Sequence, residues 1–192
     1  LFYLKKLELR NVSLANYEDL NLDLYFSANI THVDLSLNRL SVVRASYFNF
    51  HGTILYLNLS CNRIEFIERD SFNKLASLNC LDLSGNPLAL IERQSIDTNS
   101  LALSGSRLNS SELAKIHLRF SDMNSMQLEA HGLDDVPYEL IDAIKSIDYL
   151  DISTNRIRSI HARFQRTIRI YSLSLRGNLL SHIGKHALNN LR

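Results

Sequence analysis

The stretch ILYLNLSCNRI, residues 54–64, decides the fold, because apolar and polar side chains alternate along it until an asparagine interrupts them. Leu57 and Leu59 lie two residues apart, so both side chains point to the same face of an extended segment. Ile64 adds a third apolar side chain two residues after Asn62. This arrangement predicts a short β-strand with one buried face, followed by a turn that returns the chain to the same core.

The same pattern recurs along the whole chain of 192 residues. The spacings between successive copies are 26, 24, 24, 20, 25, 24 and 23 residues, and positions 4, 6 and 11 are apolar in every copy. Such a period indicates a solenoid, in which each repeat is one turn and buries its apolar face against its neighbours. Written as L-x-x-L-x-L-x-x-N-x-L, repeats 1 to 8 begin at Leu4, Ile30, Ile54, Leu78, Thr98, Met123, Ile147 and Ile170.

Stacked turns place their strands side by side, about 4.8 Å apart. We therefore predict that residues 1–192 form a single domain, an α/β solenoid in the shape of a horseshoe with about eight repeats. A curved parallel β-sheet is expected on its concave face, and a second apolar stripe at positions 14 and 19 closes the core behind it. The segments on that second side are compatible with helical, 3-10 or extended structure, and the sequence does not decide between them.

Position 9 is an asparagine in five repeats, at the point where the chain turns away from the sheet. An amide side chain carries both a hydrogen-bond donor and an acceptor, so it can satisfy backbone groups of adjacent turns. We predict that these side chains form a ladder that continues the hydrogen bonding between turns beyond the strands. Its members are Asn38, Asn62, Asn86, Asn155 and Asn178.

The longer stretch ILYLNLSCNRIEFIERDSFNKLASL, residues 54–78, has a phenylalanine at position 19, Phe72. It resembles the typical 24-residue module of animal extracellular leucine-rich-repeat proteins, and the resemblance covers essentially the whole chain. Toll-like receptor ectodomains, chaoptin-like adhesion proteins and Slit-like proteins share this module. The resemblance implies a horseshoe that binds proteins or other large ligands, and it does not select one member of the family.

The chain departs from this pattern in two ways. Position 9 is Ser106 and then His131 in adjacent repeats, and the repeat before them spans only 20 residues. We expect a local change in curvature or twist between residues 90 and 132, either as ordinary drift of the repeats or as a functional break. The polar or cysteine-rich caps of such solenoids are also missing, which indicates a portion of a longer solenoid.

Side chains at positions 3, 5, 7, 8 and 10 are predicted to point away from the core and to form the concave surface. Tyrosine is favoured at binding hot spots, which singles out Tyr56 and its neighbours, although ordinary cross-strand packing is the alternative. The candidate ligand-binding residues are His32, Asp34, Tyr56, Arg63, Asp82, Tyr149 and Asp151.

The formal net charge of +1 hides a basic end, because residues 155–192 contain seven arginines and Lys185 but no acidic residue. This end is either a solvated surface or a patch that receives sulfated glycans, nucleic acid or anionic lipid. The residues that define the candidate patch are Arg158, Arg163, Arg166 and Arg169.

Two further features bear on the compartment. Cys61 and Cys80 occupy different positions of successive repeats, so we do not expect them to form a disulfide, and free thiols slightly favour the cytosol. Four N-x-S/T sequons are candidate N-glycosylation sites, where about two or three are expected by chance, so their number supports secretion only weakly. A glycan on Asn58 would move binding from the concave face to a lateral edge or to the convex side. The sequons begin at Asn11, Asn29, Asn58 and Asn109.

Catalysis and membrane insertion find no support in the sequence. No segment reaches the roughly 18 apolar residues of a membrane span, so any attachment must use segments that are not present here. His182 and His186 lack the glutamate and third ligand of a zinc site, and the chain has neither a nucleophile elbow nor a phosphate-binding loop. We expect no enzymatic activity, no metal, no cofactor and no small-molecule substrate.

The leading hypothesis is therefore a protein-recognition module of an extracellular or cell-surface receptor or adhesion protein, for example in innate immunity. Its partner would be another protein, including a homo- or heterodimer partner. The alternatives are a cytoplasmic leucine-rich-repeat scaffold or regulator, and a solenoid that docks on glycans or nucleic acid through its basic end.

Overall fold

The fold is known from a computed structural model that describes residues 4–20, 30–48, 53–92, 94–96, 98–118 and 122–192. In chain order, the strands in these ranges are β1 (Lys6–Glu8), β2 (His32–Asp34), β3 (Val42–Val43), β4 (Tyr56–Asn58), β5 (Phe66–Ile67), β6 (Cys80–Asp82), β7 (Leu90–Ile91), β8 (Gln94–Ile96), β9 (Ser100–Ala102), β10 (Ile116–Leu118), β11 (Asp122–Gln127), β12 (Ser146–Asp151), β13 (Ser159–Ile160), β14 (Arg169–Ser174) and β15 (His182–Ile183). The same ranges contain a 3-10 helix (Tyr17–Leu20) and the short helices α1 (Ser110–Leu113) and α2 (Tyr138–Asp142).

The main sheet takes one strand from each repeat, in the order β1-β2-β4-β6-β9-β11-β12-β14. Every neighbouring pair is parallel, and equivalent repeat positions lie in register, so that Val33 pairs with Leu57 and Leu57 with Leu81. The predicted leucine-rich-repeat solenoid is confirmed, and eight strands correspond to the eight repeats. We call the solvent-facing side of this sheet, built from positions 3 and 5, the concave face.

The core lies between the main sheet and the return side of each turn. Leu57 and Leu59, at positions 4 and 6, are almost completely buried, as is Ile67 at position 14. Phe72 at position 19 stacks on Phe48 of the preceding repeat, with ring centroids 5.9 Å apart. Each such side chain contributes about 1.5–3 kcal/mol when it leaves water, so stacking of turns, not any single turn, stabilises the fold.

The return side contains extended strands, a 3-10 helix and short α-helices, the three kinds of structure that the sequence allowed. A lateral sheet β3-β5-β7 follows the main sheet in repeats 2 to 4, and the pair β13-β15 resumes the same position in repeats 7 and 8. Between them, repeats 5 and 6 carry α1 and α2 at this place, and β8 pairs with β10 further along the turns. The described lateral sheet is therefore interrupted at repeats 5 and 6, whose position 9 is Ser106 and His131.

The turn after each main-sheet strand depends on a left-handed backbone at position 8. This position has a positive φ between 53° and 74° in all eight repeats, although only three of the residues are glycines. Glycine adopts this conformation without a steric cost, whereas other residues carry strain there. The residues are Asn11, Leu37, Cys61, Gly85, Gly105, Ala130, Thr154 and Gly177.

Candidate functional site

The five asparagines at position 9 hold neighbouring turns together. Asn62 is typical: its Nδ2 donates to the carbonyls of Leu35 and Leu59 at 2.9 and 3.0 Å, and its Oδ1 accepts the N–H of Leu40 at 3.1 Å. Asn38, Asn86, Asn155 and Asn178 make the equivalent bonds, and all of these residues are buried or half-buried. The structure thus gives them a role in the fold and not in ligand binding.

Ser106 and His131 replace this ladder with a direct contact between repeats 5 and 6. The Oγ of Ser106 lies 2.7 Å from Nε2 of His131, and Nδ1 of His131 lies 3.2 Å from the carbonyl oxygen of Glu129. A carbonyl only accepts, so Nδ1 carries the proton of the neutral ring and Nε2 accepts from the Ser106 hydroxyl. The Ser106 Oγ in turn accepts the N–H of Leu108 at 3.4 Å. A serine and a histidine at successive position 9 sites were the only sequence signal of this contact.

On the concave face, His32 and Tyr56 form a stacked aromatic pair. They are register partners on β2 and β4, and their ring centroids are 5.9 Å apart at an interplanar angle of 27°. His32 is exposed and Tyr56 is half-buried, and Nδ1 of His32 lies 2.9 Å from the Thr31 hydroxyl. Burial raises the pKa of Tyr56, and the nearby Cys80, Asp82 and Asp34 act in the same direction, so the phenol stays protonated.

The aspartates at position 5 lie on the concave face and also accept hydrogen bonds from the turns that follow their strands. Oδ1 of Asp34 accepts the N–H of Ser36 at 2.8 Å, and Oδ1 of Asp82 accepts the N–H of Ser84 at 2.9 Å. Asn58 lies between them in register and makes the same bond to Ser60. These bonds use one carboxylate oxygen of each aspartate and leave Oδ2 for a partner.

Tyr149 and Asp151 lie four strands away from the aromatic pair, on β12. The Tyr149 hydroxyl donates to Oδ2 of Asp151 at 2.7 Å, and Oδ1 accepts the N–H of Ser153 at 2.8 Å. Burial works against the charge of Asp151, but hydrogen bonds from Ser153 and Tyr149 outweigh it and hold the pKa of the carboxyl below its usual value. Both carboxylate oxygens are therefore already occupied, and Asp151 is only 8% exposed. This pair is more constrained by the fold than His32 and Tyr56.

The remaining predicted residues do not gather at one place. Arg63 is exposed beyond the turn that follows β4, at the edge of the concave face. Within the predicted basic patch, Arg163 forms an ion pair of 2.8 Å with Asp135 and lies over the ring of Tyr138, 5.7 Å from its centroid. Arg158, Arg166 and Arg169 are all exposed. Arg158 lies just before β13, Arg166 lies between β13 and β14, and Arg169 is the first residue of β14.

A polar groove, which the sequence did not reveal, follows the return side of repeats 5 to 7, where the lateral sheet is interrupted. It consists of three adjoining cavities of about 470, 460 and 420 Å³. Its ends are marked by His131 and Arg166, and α2 forms one wall. The lining side chains are Arg107, Asn109, Ser110, Ser111, His131, Asp134, Asp135, Tyr138, Glu139, Asp142, Arg163, Gln165 and Arg166.

The two cysteines are free, Cys61 exposed and Cys80 half-buried on β6, where burial raises the pKa of its thiol. Three of the sequons can be placed. Asn11 is exposed in the left-handed turn after β1, Asn58 is half-buried on the concave face, and Asn109 is exposed, with Oδ1 accepting the N–H of Glu112 at the start of α1. Asn29 lies outside the described residues.

Two kinds of structural feature are absent from the described ranges. No helix there combines the length and the apolar composition that a membrane crossing requires. The same ranges hold no group of three or more His, Cys, Asp or Glu side chains placed to share a metal ion.

Comparison with known proteins identifies the repeat. Residues 28–88 match the family described as leucine rich repeat. The crystal structure of human 5T4 (Wnt-activated inhibitory factor 1, trophoblast glycoprotein) superposes with a TM-score of 0.58 and 16% identity, covering 91% of this chain and 77% of that one. The mouse RP105/MD-1 complex gives a TM-score of 0.51 and 15% identity over 100% of this chain, which spans only 43% of that one.

A search of the curated proteins by sequence finds no match to this chain. The structural similarities, at such low identity, concern the fold. Together with the family match and the eight in-register strands, they identify the architecture: the chain is a leucine-rich-repeat solenoid.

Proposed function

We propose that this chain is a non-enzymatic protein-recognition module whose partner binds the concave face around His32 and Tyr56. The stacked pair carries the proposal, because it places two aromatic rings on a sheet surface where the core makes no demand on them. Aromatic side chains of this kind supply contact area at little cost in conformational entropy. Asp34 and Asp82 flank the pair and each offers a carboxylate oxygen to donors of the partner.

The proposal extends to the setting of the module, the ligand-binding region of an extracellular or cell-surface receptor or adhesion protein. Support comes from the resemblance of the 24-residue module and from the exposed sequon asparagines Asn11 and Asn109. The mouse RP105/MD-1 structure is itself a protein complex on this fold. A sulfated-glycan surface has less support, because Arg163 already pairs with Asp135.

Site-directed photo-crosslinking tests the concave face. A benzophenone amino acid replaces Tyr56 in one protein and the exposed Asn73, on the return side of the same repeat, in the control. We expect a protein partner to be captured through position 56 only, and we expect Tyr56→Ala to weaken binding of that purified partner by at least about tenfold. Capture through position 73 alone, or unchanged affinity of Tyr56→Ala, would place the interface elsewhere.

The extracellular setting has a separate test. Natively produced protein is treated with an N-glycosidase, and the mass of each sequon peptide is compared before and after treatment. We expect a glycan at Asn109, which is exposed and uses Oδ1, the oxygen of its amide, to cap α1. Absence of glycan from all four sequons would favour the cytoplasmic alternative without affecting the test of the concave face.

A further inference from the structure

Repeats 5 and 6 meet through a contact that differs from the asparagine ladder. In the ladder, the N–H at position 11 of one repeat is accepted directly by the next asparagine, as Leu40 is by Asn62. At this junction the path has two steps, from the N–H of Leu108 to Ser106 Oγ and from the Ser106 hydroxyl to His131 Nε2. We propose that the Ser106–His131 contact is an acid-sensitive hinge, which loosens the junction of repeats 5 and 6 when His131 takes up a proton.

A proton on His131 disturbs this contact in two ways. Once Nε2 carries a hydrogen it donates, so Ser106 Oγ must accept from both His131 and Leu108, and the hydrogen of the Ser106 hydroxyl loses its acceptor. The imidazolium would also be buried, since His131 as a whole residue is only 9% exposed. Burial lowers the pKa of His131 although the carbonyls of Glu129 and Leu128 act in the opposite direction.

The surroundings do not compensate this charge. In the described residues, no side chain forms an ion pair with the His131 ring, and Asp135 is already held by Arg163. The N–H of His131 is fixed by Asn155 of repeat 7, so the backbone cannot follow the ring easily. The charged side chains on the segments around the ring are Arg107 of repeat 5, Glu129, Asp134 and Asp135 of repeat 6, and Arg156 of repeat 7.

Among the residues that the structure describes, the other hydrogen bonds between repeats 5 and 6 lie in the main sheet and the turn after it, and none lies on the return side. The lateral sheet is interrupted here, so β9 and β11 provide the described strand pairing between repeats 5 and 6. A cavity of about 470 Å³ beside His131 gives water and protons access to the site. Because solenoid repeats contact only their neighbours, loosening one junction lets repeats 1–5 move against repeats 6–8 while each part stays folded.

Hydrogen exchange of the full chain tests the hinge. Exchange of segment 103–133 is compared at about pH 7.5 and about pH 5.0, after correction for the intrinsic pH dependence. His131→Asn restores the ladder residue, and His117→Asn, at an exposed histidine of repeat 5, is the matched control. We expect acid to open this segment in the wild type and in His117→Asn but not in His131→Asn.

The size of the effect follows from linkage. For each unit by which the pKa of His131 in the closed junction lies below 6.5, the ratio of open to closed junctions rises about tenfold. The full rise is reached at a pH where His131 is protonated in both the open and the closed junction. The same acid response in wild type and His131→Asn would overturn the hinge, and so would an equal rise in exchange over residues 30–48. If His131→Asn does not fold, an NMR titration of the wild-type chain measures the pKa of His131 and tests the hinge instead. A pKa at or above 6.5 contradicts the proposal.

Discussion

The hydroxyl of Tyr138 is bonded to both backbone groups of His161: it accepts the N–H at 2.9 Å and donates to the carbonyl at 3.3 Å. His161 follows β13 directly, so the phenol takes the place that a neighbouring strand would occupy. At the other end of the interruption, the carboxylate of Glu112 on α1 accepts the N–H of Ile91 on β7 at 3.4 Å. Side chains thus close the two strand edges that face repeats 5 and 6, where open edges would invite pairing with other chains.

Tyr138→Phe tests this closure. The variant keeps the ring and its contact with Phe164, but leaves the N–H of His161 without a partner in a partly buried place. The His161 carbonyl keeps its bond from the Arg163 N–H. We expect the free energy of unfolding to fall by about 1–3 kcal/mol. Urea denaturation measures this change, and Tyr171→Phe is the control because Tyr171 is 77% exposed. Equal stability of the two variants would show that water replaces the phenol at no cost.

Asn62→Ala tests the ladder at its most regular point. It removes the acceptor of the Leu40 N–H and the donor to two carbonyls, all of them buried. The expected loss is again about 1–3 kcal/mol, because the buried N–H of Leu40 is left without a partner. The carbonyls of Leu35 and Leu59 keep one bond each, from Asn38 and Asn86. The exposed Asn79 provides the control substitution Asn79→Ala, which should change the urea midpoint little. A midpoint shift of equal size in both proteins would contradict a specific role of the ladder.

Position 8 allows the left-handed strain to be measured. Leu37 has φ 56° and is 39% exposed, whereas Leu55 is 42% exposed and has no positive φ. Leu37→Gly and Leu55→Gly both lose the partial burial of a leucine and add entropy to the unfolded chain, but only Leu37→Gly also relieves strain. We therefore expect Leu37→Gly to cost about 1–2 kcal/mol less than Leu55→Gly in thermal denaturation. An equal loss in both variants would contradict strain at position 8.

The reverse substitution, Gly85→Ala, should be costly for two separable reasons. Gly85 has φ 65°, and a Cβ built there would lie 3.1 Å from Sγ of Cys61 in the preceding repeat. We expect a loss of about 1–2 kcal/mol from the left-handed conformation, with the contact added to it. In a Cys61→Gly background the contact disappears, so Gly85→Ala should cost less there. An identical cost in both backgrounds would assign the whole effect to the backbone.

The repeat made the main sheet predictable. Alternation at positions such as Leu57 and Leu59 specifies which face is buried, and a one-residue slip would expose both, so the register follows from the sequence. The apolar residues at position 11 and the asparagines at position 9 fix the turn in the same way. These features depend on contacts between adjacent repeats, which a period of about 24 residues places side by side.

The return side and the side-chain contacts between repeats could not be predicted in this way, because the repeat period does not determine them. Few positions on the return side have the same residue type in every repeat. The sequence therefore did not predict that α1 and α2 interrupt the lateral sheet. The ion pair of Arg163 with Asp135 joins residues of two repeats that share no consensus there. Ser106 and His131 were visible as exceptions, but their hydrogen bond requires the ring orientation that only the folded structure defines.

Asp151 makes stability depend on pH in the acid range. Its folded pKa lies below the usual 3.8, because hydrogen bonds from Ser153 and Tyr149 to the carboxylate outweigh burial. The unfolded chain therefore binds more protons as the pH falls below about 3.8, so the stabilisation is complete above this value and is lost as the pH falls through the folded pKa.

Tyr149→Phe removes one of these bonds and should bring the folded pKa of Asp151 closer to 3.8. Two results are expected from urea denaturation between about pH 4.5 and about pH 2.5. The variant should be less stable than the wild type at the upper end, and the difference should shrink as the pH falls and Asp151 becomes protonated in the folded state. Asp148→Asn, at an exposed carboxylate of the same strand, controls for a general charge effect. A pH-independent difference would mean that the Tyr149 hydroxyl supports the strand without stabilising the charge of Asp151.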